Sequence, residues 1–251
     1  MSYLNYHAVA AAGPGISFVG SGKYVFINGQ GPFAYQFSSL RNASGAVPTV
    51  LQNDVVVVCN GLAVSSPPPP DVNVRPSGYT AMSGNLYQEG GADSVLDVSR
   101  KFMGASPDTS VTIPNPNLSG TRVVGAVFVF RGVNLSTPLD VAAVTAGATA
   151  NALPNAGAIT PVTAGAWILI CGNLAGSFSS ALTRPADQSS TTNHFQADIR
   201  TGTLDSTTAM GLKTDWAAGA FDPLIFGGPA SISGPFATAA WTAATIALRP
   251  A

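Results

Sequence analysis

Short apolar segments rich in Val, Ile, Phe and Thr recur along the whole chain, separated by clusters of Gly, Pro and Asn. This pattern is typical of β-strands joined by tight turns. No window of about twelve residues keeps an apolar period of 3.6 with a charged opposite face, as an amphipathic helix would. The sequence therefore predicts an all-β fold, with strands near 16–20, 24–28, 33–40, 54–64, 79–87, 94–103, 109–113, 121–131, 164–172, 194–204, 207–213 and 238–249.

One segment favours a helix. Residues 139–150 read LDVAAVTAGATA, and the alanine content predicts a short helix there, although Thr and Gly lower helix propensity.

Charged side chains are sparse. The 251 residues include 11 Lys and Arg and 12 Asp and Glu, so charged residues make up 9% of the chain, against about 25% in an ordinary soluble domain. A net charge of −1 lacks the basic surplus of a non-specific nucleic-acid binder, and 46% hydrophobic residues argue against intrinsic disorder. Two explanations stay open: a surface of Ser, Thr, Asn and Gly, or a surface partly covered by neighbours in an assembly.

Two predicted strands are apolar without interruption. They are the segments DVVVVC at 54–59 and VVGAVFVF at 123–130. A sandwich strand with one face in water should instead alternate apolar and polar residues. Both faces are therefore expected to be covered, either by loops of the same chain or by another subunit.

A weak internal repeat links the two halves of the chain. CNGLA at 59–63 resembles CGNLA at 171–175, with an offset of 112 residues. TRVVGAVFVFR at 121–131 resembles AAWTAATIALR at 239–249, with an offset of 118. The alternative is chance similarity among strands rich in Val, Ala and Gly.

Each half would contain a buried opening strand, a hairpin carrying a lysine (Lys101 or Lys213) and a closing strand that ends in Arg. If the repeat is real, it predicts two sheets formed by two interleaved pseudo-repeats, at about 47–133 and 159–251.

Cys59 and Cys171 each end an apolar run, so we expect buried, reduced core residues. A disulfide between them requires that their strands be neighbours. No basic residue precedes Lys23, so a secretory signal is not expected and the chain is predicted to be made in a cytoplasm. No apolar run is long enough for a membrane helix.

The sequence offers no recognisable catalytic constellation. His7 and His194 are the two histidines, and neither accompanies a nucleophile motif. No Cys and His pair has zinc spacing, and the Asp residues match no calcium loop. We therefore expect a protein that is not an enzyme and that needs neither cofactor nor metal.

One tryptophan supports a different function. Trp216 lies in the predicted loop KTDWAAG, where its ring could stack on a sugar. A carbohydrate-binding role is therefore one hypothesis for this chain. A glycan-binding signal that Trp216→Ala abolishes would favour this hypothesis.

Four segments carry a resemblance to a known group of proteins, and they follow one another in this order: DVVVVCNGLA at 54–63, RPSGYT at 75–80, FVFRGV at 128–133 followed by PLD at 138–140, and AWTAATIALRP at 240–250. This order resembles tailed-bacteriophage virion proteins with a jelly-roll-type β-sandwich, in which GDLV, PSGW, FRGV…PID and W-x-A-x-x-ALRP recur. The chain departs from them at Asn53, where they have Gly, and at Tyr79, where they have Trp.

The resemblance covers about residues 51–251 and implies a structural role in the virion, without catalytic residues. We expect a capsid decoration (cement) protein that forms a homo-oligomer, with a trimer favoured. The alternative is a carbohydrate- or receptor-binding module of a tail fibre, with Trp216 as the residue that stacks on the sugar. Its other partners would be the major capsid protein or other virion proteins, with neither nucleic acid nor membrane involved. The antiparallel sandwich would span 16–251.

Residues 1–15 would form an arm that packs on a neighbouring chain or on the capsid. Tyr3, Leu4 and Tyr6 are its candidate contact residues, since no charge lies near them. A frayed terminus is the alternative.

Overall fold

The computed structural model describes residues 15–27, 32–64, 72, 74–90, 92–116, 122–149, 152–177, 182–185, 195–199, 205–228 and 239–251. Almost all regular structure in these ranges is β. The elements in chain order are β1 (Ser17–Ile27), β2 (Phe33–Gln36), a 3₁₀ turn (Phe37–Ser39), β3 (Val55–Val64), β4 (Thr80–Gln88), β5 (Asp93–Phe102), β6 (Ser110–Ile113), β7 (Arg122–Arg131), β8 (Val144–Thr149), β9 (Ala166–Gly176), β10 (Thr183–Pro185), β11 (Phe195–Ile199), β12 (Asp205–Trp216), β13 (Phe226–Gly227) and β14 (Ala240–Leu248).

Two five-stranded antiparallel sheets pack against each other. The first has the order β1-β7-β3-β5-β4 and the second the order β11-β12-β9-β14-β8. Two small sheets, β2-β6 and β10-β13, accompany them. The predicted all-β antiparallel sandwich is confirmed. No helix in the described part of the chain is long and apolar enough to cross a membrane.

The helix expected at 139–150 is wrong, because residues 144–149 form the edge strand β8. This strand pairs with β14 over its whole length, from Val144 opposite Thr245 to Thr149 opposite Ala240. Alternating half-buried and exposed side chains on β8 match a strand with one covered face. Pairing with a neighbouring strand therefore outweighs the local helix propensity of alanine.

Each large sheet comes from one contiguous half of the chain, so the expected interleaving of the halves is wrong. The described strands of the first sheet all precede Gly132, and those of the second all follow Ala143. A jelly roll sends successive strands to alternate sheets, an alternation that this strand order does not show. The fold is therefore described here as an antiparallel sandwich.

The two sheets have equivalent strand orders when β1, β7, β3, β5 and β4 are matched with β8, β14, β9, β12 and β11. Register agrees as well. Cys59 lies opposite Ala126 and Val98, and Cys171 lies opposite Ala244 and Met210. These pairs reproduce the sequence offsets of 112 and 118. The equivalence includes β1 and β8, which lie outside the ranges 47–133 and 159–251, so those boundaries stay a prediction.

Side chains from both sheets form the inner core. Phe130 from β7 and Trp167 from β9 meet edge to face, with their ring centroids 5.9 Å apart. Around them pack buried residues of β3, β5, β7, β9, β12 and β14, among them Val57, Leu96, Leu169, Met210 and Ile246.

The outer faces of both sheets are covered by the same chain. On the first sheet, Val56 and Val58 are fully buried under β2, β6 and nearby loops, which contribute Tyr35, Phe37 and Ile113. On the second, Ile159 and Phe221 from loops and Phe226 from β13 cover the corresponding strands. Of the two explanations for the uninterrupted apolar strands, cover by loops of the same chain is the one that the structure shows.

Candidate interaction surface

A row of three polar side chains crosses the outer face of the first sheet, and two of them, Asn60 and Asp97, are fully buried. Asn60 and Asp97 are directly opposite each other on β3 and β5, and Asn85 lies opposite Asp97 on β4. Sequence reasoning missed this row, although Asn60 and Asp97 are polar residues inside otherwise apolar runs. That interruption was the available signal, because a buried polar group needs a partner.

The polar row holds a covering segment in place. Asn85 Nδ2 donates to the carbonyl oxygen of Val72 at 2.5 Å, and Asn60 Nδ2 donates to that of Val74 at 2.7 Å. Arg75 donates to Asp97 Oδ1 through Nε at 3.0 Å and Nη2 at 2.8 Å. Val72 and Val74, which follow the proline run, are therefore tied to the sheet by their backbone carbonyls, and Arg75 by an ion pair.

Burial changes the proton affinity of Asp97. Its side chain is fully buried, and this burial raises the pKa of the carboxyl even though the hydrogen bonds from Arg75 favour the charged form. The ion pair with Arg75 therefore compensates only part of the cost of dehydrating the carboxylate.

The two closing strands end in arginines that form ion pairs. Arg131 Nε and Nη2 donate to Asp54 at 2.7 and 2.8 Å, and these hydrogen bonds raise the pKa of Arg131. Arg249 Nε donates to Asp140 at 3.0 Å. Both carboxylates are fully buried, whereas the two arginines stay partly exposed. Each arginine therefore covers a buried carboxylate at the end of a sheet.

Several hydrogen bonds converge on Asp140. Burial alone would raise the pKa of this carboxyl, but hydrogen bonds from Thr163, from the N–H of Val162 and from Arg249 lower it. The N–H groups of Val162 and Thr163 lie 2.5 and 3.0 Å from Oδ2. Asp140 thus links the loop before β9, through Val162 and Thr163, to Arg249, which follows β14.

An exposed apolar segment lies on the side of the first sheet. It comprises residues 47–51, in which Val47 is 53% and Leu51 46% exposed. Grooves of about 430 and 580 Å³ flank it, and Pro48 and Thr49 line both. We use the name apolar ridge for residues 47–51 together with the two grooves beside them.

Nearby charges on the apolar ridge are paired. Arg131, which lines the larger groove, is bound to Asp54, and Asp108, which lines the smaller one, is bound to Lys101 at 2.5 Å. The ridge therefore presents apolar side chains beside neutralised charges, a combination that suits contact with another protein surface.

The second sheet also carries exposed apolar residues on its covering loops. Val162 is 64% exposed, and Leu224 and Ile225 are each 55% exposed. The loops that contain them are joined by hydrogen bonds between Ile159 and Phe221. Exposed apolar side chains therefore lie on the loops outside each of the two sheets.

Trp216, the candidate sugar-stacking residue, is half-buried at the end of β12. Its indole Nε1 donates to the carbonyl oxygen of Gly219 at 3.1 Å, and its ring meets Phe221 edge to face at 5.1 Å. Lys213 Nζ lies 5.9 Å from the ring centroid. Through these contacts Trp216 packs against the loop that follows β12. The sugar-stacking role stays a prediction.

The other residues singled out from the sequence lie outside the described residues. They are Tyr3, Leu4 and Tyr6 of the predicted arm, and His7 and His194. Within the described ranges, no group of three or more His, Cys, Asp or Glu side chains is placed to hold a metal ion.

Comparisons with known proteins give no match. No family model, no curated protein and no solved structure matches this chain.

Proposed function

We propose that this chain is a structural protein of a phage virion, a capsid decoration protein that acts through contacts with copies of itself and with the shell. The apolar ridge carries the proposal, because it offers Val47 and Leu51 to a partner beside charges that are already paired. Protein interfaces of this kind need few charged residues at their centre. The sequence resemblance to virion proteins supplies the identity of the partners.

Sparse charge supports the same proposal. Ion pairs neutralise charges at the ends of the sheets, at Arg131 with Asp54 and at Arg249 with Asp140. This leaves a surface with weak long-range electrostatics, which suits close packing of many copies on a shell. The uninterrupted apolar strands no longer support it, since the chain covers both of their faces itself.

The test is co-sedimentation of the purified chain with phage heads that lack it, together with sedimentation velocity of the chain alone. We expect the chain to pellet with the heads and to form a discrete species larger than the 25.4 kDa monomer. The double variant Val47→Asp/Leu51→Asp should weaken both associations by at least tenfold, because it places carboxylates on the ridge.

The control is Val162→Asp, which changes an exposed valine in a loop that covers the other sheet. It should pellet as the unmodified chain does. If Val162→Asp abolishes binding and the double variant does not, the ridge is not the contact surface. A chain that stays monomeric and never binds heads would refute the proposed function itself.

A further inference from the structure

The two cysteines occupy equivalent positions on the central strands of the two sheets. Cys59 lies on β3 and Cys171 on β9, separated by the same 112 residues that relate the two halves of the chain. Both have free thiols and both are fully buried. They belong to the single core that lies between the sheets.

The two thiols face each other across this core, as contacts on either side of them show. Phe130, which pairs with Val55, meets Trp167, and Gly61 lies against Asn173 Oδ1. Cys59 and Cys171 lie between these two contacts on β3 and β9. On one side each cysteine has a small neighbour in its own sheet, Ala126 on β7 and Ala244 on β14, and on the other side lie Val98 and Met210. A disulfide requires facing Cβ atoms about 3.5–4.5 Å apart, so its formation tests how closely the two central strands approach at this point.

We propose that Cys59 and Cys171 form a modification site, at which oxidation creates a disulfide that joins the two sheets. The oxidant is a small-molecule disulfide. One cysteine thiolate attacks it, forming a mixed disulfide and releasing one small thiolate. The second cysteine thiolate then attacks the protein sulfur and releases the other. Two protein thiols lose two protons and two electrons, and one small disulfide is reduced to two thiols.

Burial determines when this reaction can occur. Neither cysteine is exposed in the folded chain, and burial also raises the pKa of the Cys59 thiol, so the native pair resists attack. Reaction therefore takes place while the chain folds or when the sandwich opens. Once formed, the bond closes a loop of about 112 residues and prevents the two halves from separating.

The test uses the full-length chain without substitutions. The chain is unfolded in urea and refolded with oxidised glutathione, and a second sample is refolded with a reductant. We expect the oxidised sample to lose about 2 Da with no added glutathione, as two thiol hydrogens are removed. Peptide mapping should show Cys59 linked to Cys171. The Tm of this sample should be about 5–10 °C higher than that of the reduced one.

Native chain incubated with the same oxidant should keep both thiols, as alkylation under denaturing conditions would report. Cys59→Ala and Cys171→Ala each leave one thiol, so neither should show the internal link or the rise in Tm. The proposal is overturned if the unmodified chain refolds with both thiols free or with the link formed between chains. It is also overturned if the link forms and lowers the Tm, since the native geometry would then not accommodate it.

Discussion

At the scale of single residues, the two halves of the chain carry different residues at one pair of equivalent positions, and these residues fit together between the sheets. The offset of 112 matches Gly61 with Asn173, and these two residues meet between the sheets. The Asn173 amide fills the space beside Gly61. Its Nδ2 donates to the carbonyl oxygen of Leu62 at 3.0 Å, and its Oδ1 accepts from Thr208 Oγ1 at 2.9 Å. Gly61 of the first half, which has no side chain, leaves the space, and the Asn173 amide of the second half occupies it.

This complementarity predicts a large effect for Gly61→Ala. The new Cβ would overlap Thr208 Oγ1 and lie 2.5 Å from Asn173 Oδ1, and both side chains are fully buried. The Asn173 and Thr208 side chains would have to move to remove this overlap, and the hydrogen bonds of Asn173 would then break. We therefore expect a loss of about 2–4 kcal/mol in the free energy of unfolding. Urea denaturation followed by circular dichroism measures it. Gly104→Ala is the control, since its Cβ would meet nothing within 4 Å and the free energy should hardly change. Equal stability of the two variants would contradict this account.

Residue-level prediction from the sequence was uneven for physical reasons. Burial of Cys59 and Cys171 is confirmed, because apolar runs report directly on burial. The roles of Asn60 and Asp97 were missed, because their partners lie 14 and 22 residues away along the chain. A polar residue reveals that it needs a partner, but the fold decides which group that partner is.

At the scale of elements, the strands with strong β-branched composition were predicted within a few residues, as β3 and β7 illustrate. The predicted strands at 16–20 and 24–28 are one long strand, β1, which passes through Gly20 and Gly22. β8 was missed because its Ala, Thr and Gly residues have no strong preference for strands. Its structure comes from pairing with β14, a contact between distant parts of the chain.

Strand β3 allows a direct test of cover on both faces. Val57 belongs to the core between the sheets and Val58 to the outer core beneath β2 and β6. Because both are fully buried, Val57→Ala and Val58→Ala should each lower the free energy of unfolding by about 2 kcal/mol. Thr145→Ala on the exposed face of β8 is the control and should change it by less than about 0.5 kcal/mol.

The two valine variants are measured by urea denaturation at protein concentrations that differ tenfold. Cover by the same chain requires that both losses be independent of concentration. If the loss for Val58→Ala grew on dilution, a second subunit would contribute to the cover of the outer face.

At the scale of the whole molecule, the sequence predicted two related halves, but the expectation that these halves interleave was wrong. Similar strands at offsets of 112 and 118 indicate a repeated unit, yet they are equally compatible with interleaved or separate sheets. The choice depends on which strands pair, and in this chain each half pairs within itself. The halves then share one inner core, where Phe130 packs against Trp167. Neither half can bury that face alone.

This shared core predicts that the two halves unfold together, and the aromatic residues provide a separate probe for each. All six tyrosines lie before residue 88, whereas the three tryptophans, Trp167, Trp216 and Trp241, lie in the second half. Tyrosine absorbance and tryptophan fluorescence should therefore give the same midpoint in one urea series. Val58→Ala, which removes contacts on the far side of the first sheet, should lower both midpoints equally. A tryptophan midpoint that does not move with it would mean that the second sheet is stable without the first.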